Sequence, residues 1–95
     1  MGYRLSPRAQ SDLEEIWEYS YDRWGLDQAE RYVELIRETV AWTGESPRRG
    51  RACDDIRPGY FKLAAGSHVL FYRLVGPDIE VVRILHGRMD FDRRL

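Results

Sequence analysis

The sequence predicts an α+β fold: an N-terminal strand, an antiparallel two-helix hairpin, then a three-stranded antiparallel meander. Apolar residues recur at spacings of three or four from Ala9 to Thr43, the repeat of amphipathic helices. From Tyr60 to Leu85 the repeat shortens to two, the repeat of strands with one buried face. Between those strands stand only Gly66-Ser67 and Gly76-Pro77-Asp78, connections too short for anything but antiparallel neighbours. At 95 residues, 43% hydrophobic and 33% charged, residues 1–95 are expected to form one domain around one core, with 86–95 as a short C-terminal tail.

Each element has its own signal. Tyr3-Arg4-Leu5-Ser6 alternates briefly and reads as the first strand. Ser6 offers a hydroxyl at an N-cap and Pro7 a residue with no N–H to lose at N1, so a helix starts there. Its inward face is predicted as Ala9, Leu13, Ile16, Trp17, Ser20 and Trp24, with Asp12, Glu14, Glu15, Glu18, Asp22 and Arg23 on the rest of the circumference. Gly25 ends the helix in a left-handed conformation. Asp27 with Glu30 three residues on gives a capping box for the second helix, whose stripe is Ala29, Tyr32, Val33, Ile36, Val40 and Thr43. Ser46 to Arg51 reads as a mobile basic connector. The meander strands are 60–65, 68–75 and 79–85. If residues 76–78 form the turn, Val75 faces Ile79, Arg73 faces Val81 and Arg83 faces Phe71. The tail carries Met89 and Phe91 as its apolar residues and is expected to be loosely held.

Charge is unevenly placed. Residues 1–47 hold five arginines against ten Asp and Glu, net −5, whereas residues 48–95 hold nine arginines and Lys62 against six acids, net +4. With a sequence pI near 6.1, the chain lacks the overall basic excess of a protein that binds nucleic acid by neutralising phosphates; no direct sequence-specific nucleic-acid binding is expected, although a basic face in the second half stays open. No run of 18 apolar residues and no leader-like N-terminus occur, so the expectation is a cytoplasmic protein without membrane contact. Cys53 is the one cysteine; it cannot form an intramolecular disulfide, a zinc site would be short of ligands, and no metal or cofactor is expected.

Arg73 and Arg83 interrupt strands of core-forming residues and share a sheet face. Their stems could pack on neighbours beneath a solvated face. The sharper reading joins them with Arg57, Lys62, His86 and Arg88 in a target- or antitoxin-facing basic cleft, with both arginines dispensable for folding. His86 has no paired carboxylate near it in sequence, and no catalytic residue is assigned. Tyr21, Leu35 and Trp42 fall off the helical stripes, where large apolar side chains wait for a partner.

Several segments resemble the ParE/RelE toxin superfamily of bacterial toxin–antitoxin modules: Leu5-Ser6-Pro7-Arg8-Ala9-Gln10 with Asp12-Leu13-Glu14-Glu15-Ile16-Trp17, Pro47-Arg48-Arg49-Gly50-Arg51, Ile56-Arg57-Pro58-Gly59-Tyr60 with Lys62-Leu63 and Gly66-Ser67-His68, Phe71-Tyr72-Arg73, and Val82-Arg83-Ile84-Leu85-His86 with Arg88-Met89-Asp90. The resemblance spans nearly the whole chain and is nearest to the ParE branch. It implies the RelE/ParE-like fold, a toxin that inhibits DNA gyrase and so blocks replication, and a ParD-like antitoxin that binds Tyr21, Leu35, Trp42 and the basic cleft in a hetero-oligomer. Two alternatives stand beside it. One is RelE-like, ribosome-dependent cleavage of messenger RNA, for which Arg73, Arg83 and His86 match in position while the lysine-rich set and a C-terminal tyrosine are missing. The other is a non-toxic interaction module that acts only in the antitoxin complex.

Overall fold

In the computed structural model, which describes residues 2–89 and 91–95, the chain runs β1 (Tyr3–Leu5), α1 (Pro7–Trp24), α2 (Leu26–Glu45), β2 (Arg51–Ala52), β3 (Tyr60–Ala65), β4 (His68–Val75), β5 (Asp78–His86) and α3 (Phe91–Arg94). Met1 and Asp90, the latter part of the Arg88-Met89-Asp90 segment, lie outside the described residues. The five strands form one mixed sheet in the order β1-β5-β4-β3-β2, with β1 parallel to β5 and the other pairs antiparallel.

Ser6 sets the geometry of the first turn. Its side chain accepts the Ala9 N–H at 3.0 Å, as an N-cap should, and its hydroxyl donates to the Val82 carbonyl at 2.7 Å, which fastens α1 to the sheet. The predicted stripes then bury as expected: Ala9, Leu13, Ile16 and Ser20 on α1, and Ala29, Val33, Ile36, Val40 and Thr43 on α2. They meet Leu70, Tyr72, Ile79, Val81 and Ile84 on one face of the sheet. Trp24, expected inside, is instead 60% exposed, because one residue separates the two helices and this last position has no sheet beneath it.

That single linking residue also corrects the second cap. Gly25, at φ 89° and ψ −179°, is both the C-cap of α1 and the N-cap of α2, and Asp27 lies within the first turn rather than capping it. The conformation is one that glycine alone adopts readily.

Both hairpins use two-residue loops with a positive-φ glycine first, Gly66 at 61° and Gly76 at 60°, the pattern of type II′ turns. The second loop is therefore Gly76-Pro77, so Val75 pairs with Asp78 and Arg73 with Glu80, not with Val81. A bulge between Phe71 and Tyr72 adds Val82 as an extra residue, after which Arg83 does face Phe71.

Two further elements escaped the sequence reading. Arg51–Ala52 pairs with Phe61 and Lys62, giving a fifth strand. The tail forms α3, whose Phe91 meets Phe71 edge to face at 4.7 Å and joins Leu95, Cys53, Ile56 and Leu85 in a second apolar cluster on the outer face of the sheet. The connector is also pinned rather than mobile: the buried Tyr72 hydroxyl donates to the Pro47 carbonyl at 2.8 Å and accepts the Gly50 N–H at 2.9 Å. A phenol in a core must find partners, and the connector supplies them. No helix among the described residues is long and apolar enough to cross a membrane.

Candidate functional site

A groove of about 920 Å³ lies between α1, the start of β4 and the end of β5. Its floor is set by an inward carboxylate that the helical pattern assigned to the outside. β1 pairs only with Ile79 to Val81, so beyond Val81 the edge of β5 needs another partner. Asp12 provides it: Oδ2 accepts the Ile84 N–H at 3.0 Å and the Arg83 Nε–H at 2.8 Å, while Oδ1 accepts from Arg83 Nη2 at 2.9 Å. Arg83 Nη1 donates to the Arg94 carbonyl at 2.6 Å. This guanidinium, 9% exposed, thus ties α1, β5 and α3 together, and its bidentate contact with Asp12 raises its pKa further.

At the other end of the groove stand three rings. His68 and His86 are register partners on β4 and β5, with ring centroids 5.2 Å apart and edge to face. The Tyr32 hydroxyl lies 2.6 Å from His68 Nδ1 and accepts the Ser67 N–H at 2.9 Å, which leaves its own proton for the histidine. Burial first, and then the neighbouring His86, push the His68 pKa down to about 4. His68 is therefore a neutral hydrogen-bond acceptor at pH 7. His86 Nδ1 accepts the Arg88 N–H at 3.2 Å. Sequence reasoning singled out His86 and passed over His68, although the predicted register already placed the two opposite each other.

The six basic residues expected in one cleft occupy separate places. Arg83 and His86 line the groove, and Arg88 touches it through its backbone. Lys62 and Arg73 lie across the sheet, opposite Phe71 and Glu80. Glu80 sits between Arg73 at 2.8 Å and Arg4 at 3.2 Å. Arg57 is exposed on the loop after β2 and bonds the Ile56 carbonyl. The apolar trio is on the surface, with Tyr21 47%, Leu35 43% and Trp42 50% exposed. Tyr21 stacks on Trp17, and Arg49 lies 3.8 Å over the Trp42 ring. Tyr19 and Trp24, both more exposed and bridged by the Arg23 guanidinium, extend this surface along α1. Cys53 is buried, and that burial raises its pKa, so it is an inert packed thiol.

Comparison with known proteins places this arrangement. A chain of the chromosomal ParDE toxin–antitoxin system of P. aeruginosa superposes with a TM-score of 0.79 at 23% identity, covering 90% of this chain and 95% of that one, and so shares the fold. The family model described as the ParE toxin of the type II toxin–antitoxin system, parDE, matches residues 3–91. The chain belongs to this ParE toxin family. It is 60% identical over 94 residues to Toxin ParE1 of Mycobacterium tuberculosis, covering 98% of this chain and 96% of that protein, and 46% identical over 88 residues to Toxin ParE1 of Caulobacter vibrioides, covering 93% and 91%.

Proposed function

We propose that this type II toxin acts by inhibiting DNA gyrase and is neutralised by a ParD-like antitoxin. The observation that carries the target is the state of Arg83. RNA cleavage would need a free cation beside the bond that breaks, together with a proton donor and acceptor; Arg83 is instead consumed by Asp12 and the Arg94 carbonyl. His68, the histidine best placed to pair with His86, is held neutral by its burial and by His86 itself, and its Nδ1 is taken by the Tyr32 hydroxyl. A poison of a protein target needs local complementarity rather than an acid, a base and a free cation, and a chain of net −1 with opposed halves meets that need.

Purified gyrase should lose supercoiling activity and accumulate cleaved DNA in the presence of this protein, while message in a translating extract stays unbroken. The His68, His86 and Tyr32 cluster gives the RNase reading its strongest footing. Codon-positioned RNA cuts that vanish in His86→Ala, with gyrase unaffected, would establish that reading instead.

A further inference from the structure

We propose that the connector and the adjoining end of the sheet, through Arg48, Arg51 and Lys62, form a contact surface for the sugar-phosphate backbone of duplex DNA. Three observations carry it. First, Arg51 and Lys62 are register partners on β2 and β3. Like charges directly opposite one another cost stability in a sheet, and among the described residues neither has an acid within ion-pairing distance. Asp54 and Asp55 follow closely, yet Asp54 is engaged by the Gly59 N–H at 2.8 Å.

Second, the backbone that presents these cations is held in advance. Tyr72 clamps Pro47 and Gly50 on either side of Arg48 and Arg49, and a Cβ on Gly50 would sit 2.4 Å from the Tyr72 oxygen, so the position accepts glycine alone. A buried tyrosine spent on an arginine-bearing turn holds in place the backbone from which the exposed charges extend, which lowers the ordering cost of binding.

Third, the patch lacks what a protein partner would need. Large exposed apolar residues lie on α1, α2, β1 and the turn after β5, and none on β2, β3 or residues 46–50; Trp42, the nearest of them in sequence, is overlain by Arg49. A charged surface with no apolar centre suits a polyanion better than a folded protein. The backbone of duplex DNA supplies regularly spaced phosphates without demanding base readout.

The test is fluorescence anisotropy of a labelled duplex of about 20 base pairs, titrated with the full-length chain across salt concentrations. Three phosphate contacts predict a weakening of about 40-fold between roughly 50 and 200 mM salt. The triple variant Arg48→Ala, Arg51→Ala, Lys62→Ala should bring the log–log salt slope from about 2.7 to near zero. A control removing the same charge from the helices, Arg8→Ala, Arg31→Ala, Arg37→Ala, should leave the slope unchanged. No binding at low salt, an equal loss in the helix control, or preference for poly-glutamate over the duplex would overturn the proposal. Gyrase is absent from the assay, so its outcome is independent of the target reading.

Discussion

At the scale of single residues, two arginines with the same sequence signature have opposite roles. Arg73 is exposed and shares Glu80 with Arg4, so Arg73→Ala should cost only about 0–1 kcal/mol, as exposed ion pairs do. Arg83 is buried against Asp12, and its removal would strand a buried carboxylate; Arg83→Ala should cost about 3–5 kcal/mol. Urea denaturation of the two variants checks the contrast, and equal midpoints would mean that the buried pair is not structural. The expectation that both arginines were dispensable for folding failed to separate them because the deciding partner, Asp12, is 71 residues away. His68 carries a pH consequence. Its pKa falls from an ordinary 6.5 to about 4 in the folded chain, so as pH drops the unfolded state takes up the proton first. The stability it contributes is complete above about pH 6.5 and is lost towards pH 4. His68 is half-buried, so solvent screening should hold the loss between pH 7.5 and 5 to about 1 kcal/mol, below the roughly 2 kcal/mol that the full shift would give. Urea midpoints across that range should fall for the wild type and flatten in His68→Gln; parallel curves would show that His68 is not the titrating group.

At the scale of elements, legibility followed the range of the interactions involved. The stripes of α1 and α2 were readable because helical periodicity is local, and the Ser6-Pro7 start was readable because a cap lies within three residues of the amide it satisfies. Trp24 and Asp12 were misassigned for one reason: periodicity gives the direction a side chain faces, not what lies opposite it. At the end of α1 Trp24 meets Tyr19 and Arg23 of its own helix and is otherwise largely solvent-facing, and beside β5 there is an unpaired strand edge for Asp12. The meander was readable as three strands, but its register depends on the Gly76-Pro77 loop and on a bulge that no local residue announces. The two departures offset each other beyond Phe71, which is why the Arg83 position came out correctly and the Arg73 position did not. β2 and α3 were missed because each is too short to show a period, two residues and four, and is held by tertiary partners, Phe61 and Lys62 for the one and Phe71 for the other. The candidate site suffered more than the fold. Its polar members come from α1, α2, β4 and β5, and no spacing within one segment encodes their meeting.

At the scale of the whole molecule, the fold turns a sequence asymmetry into a spatial one. The acidic half is β1 and the helical hairpin, and the basic half is the connector, β2 to β5 and the tail, so unlike charges are largely separated between layers. Most of the large exposed apolar residues follow the acidic half: Tyr3 lies on β1, Tyr19, Tyr21, Trp24, Leu26, Leu35 and Trp42 lie on α1 and α2, and Met89 after β5 is the exception. A partner that covers them must bring apolar side chains at its centre and basic ones at its rim, whereas one that covers the outer sheet face must be anionic. An antitoxin segment that folds on binding can do both by wrapping from one layer to the other. Because Tyr21 and Leu35 lie outside the core, the double variant Tyr21→Ser, Leu35→Ser should lose about 1–2 kcal/mol of stability, chiefly the Tyr21–Trp17 stack and helix propensity, and remain folded. Its binding to the proposed ParD-like antitoxin should nonetheless weaken about 30-fold or more, the loss expected when apolar residues at the centre of an interface are removed. Calorimetric titration of the two purified partners reads the affinity, and a parallel melt reads the fold. Unchanged affinity would move the antitoxin off Tyr21, Leu35 and the helical face around them.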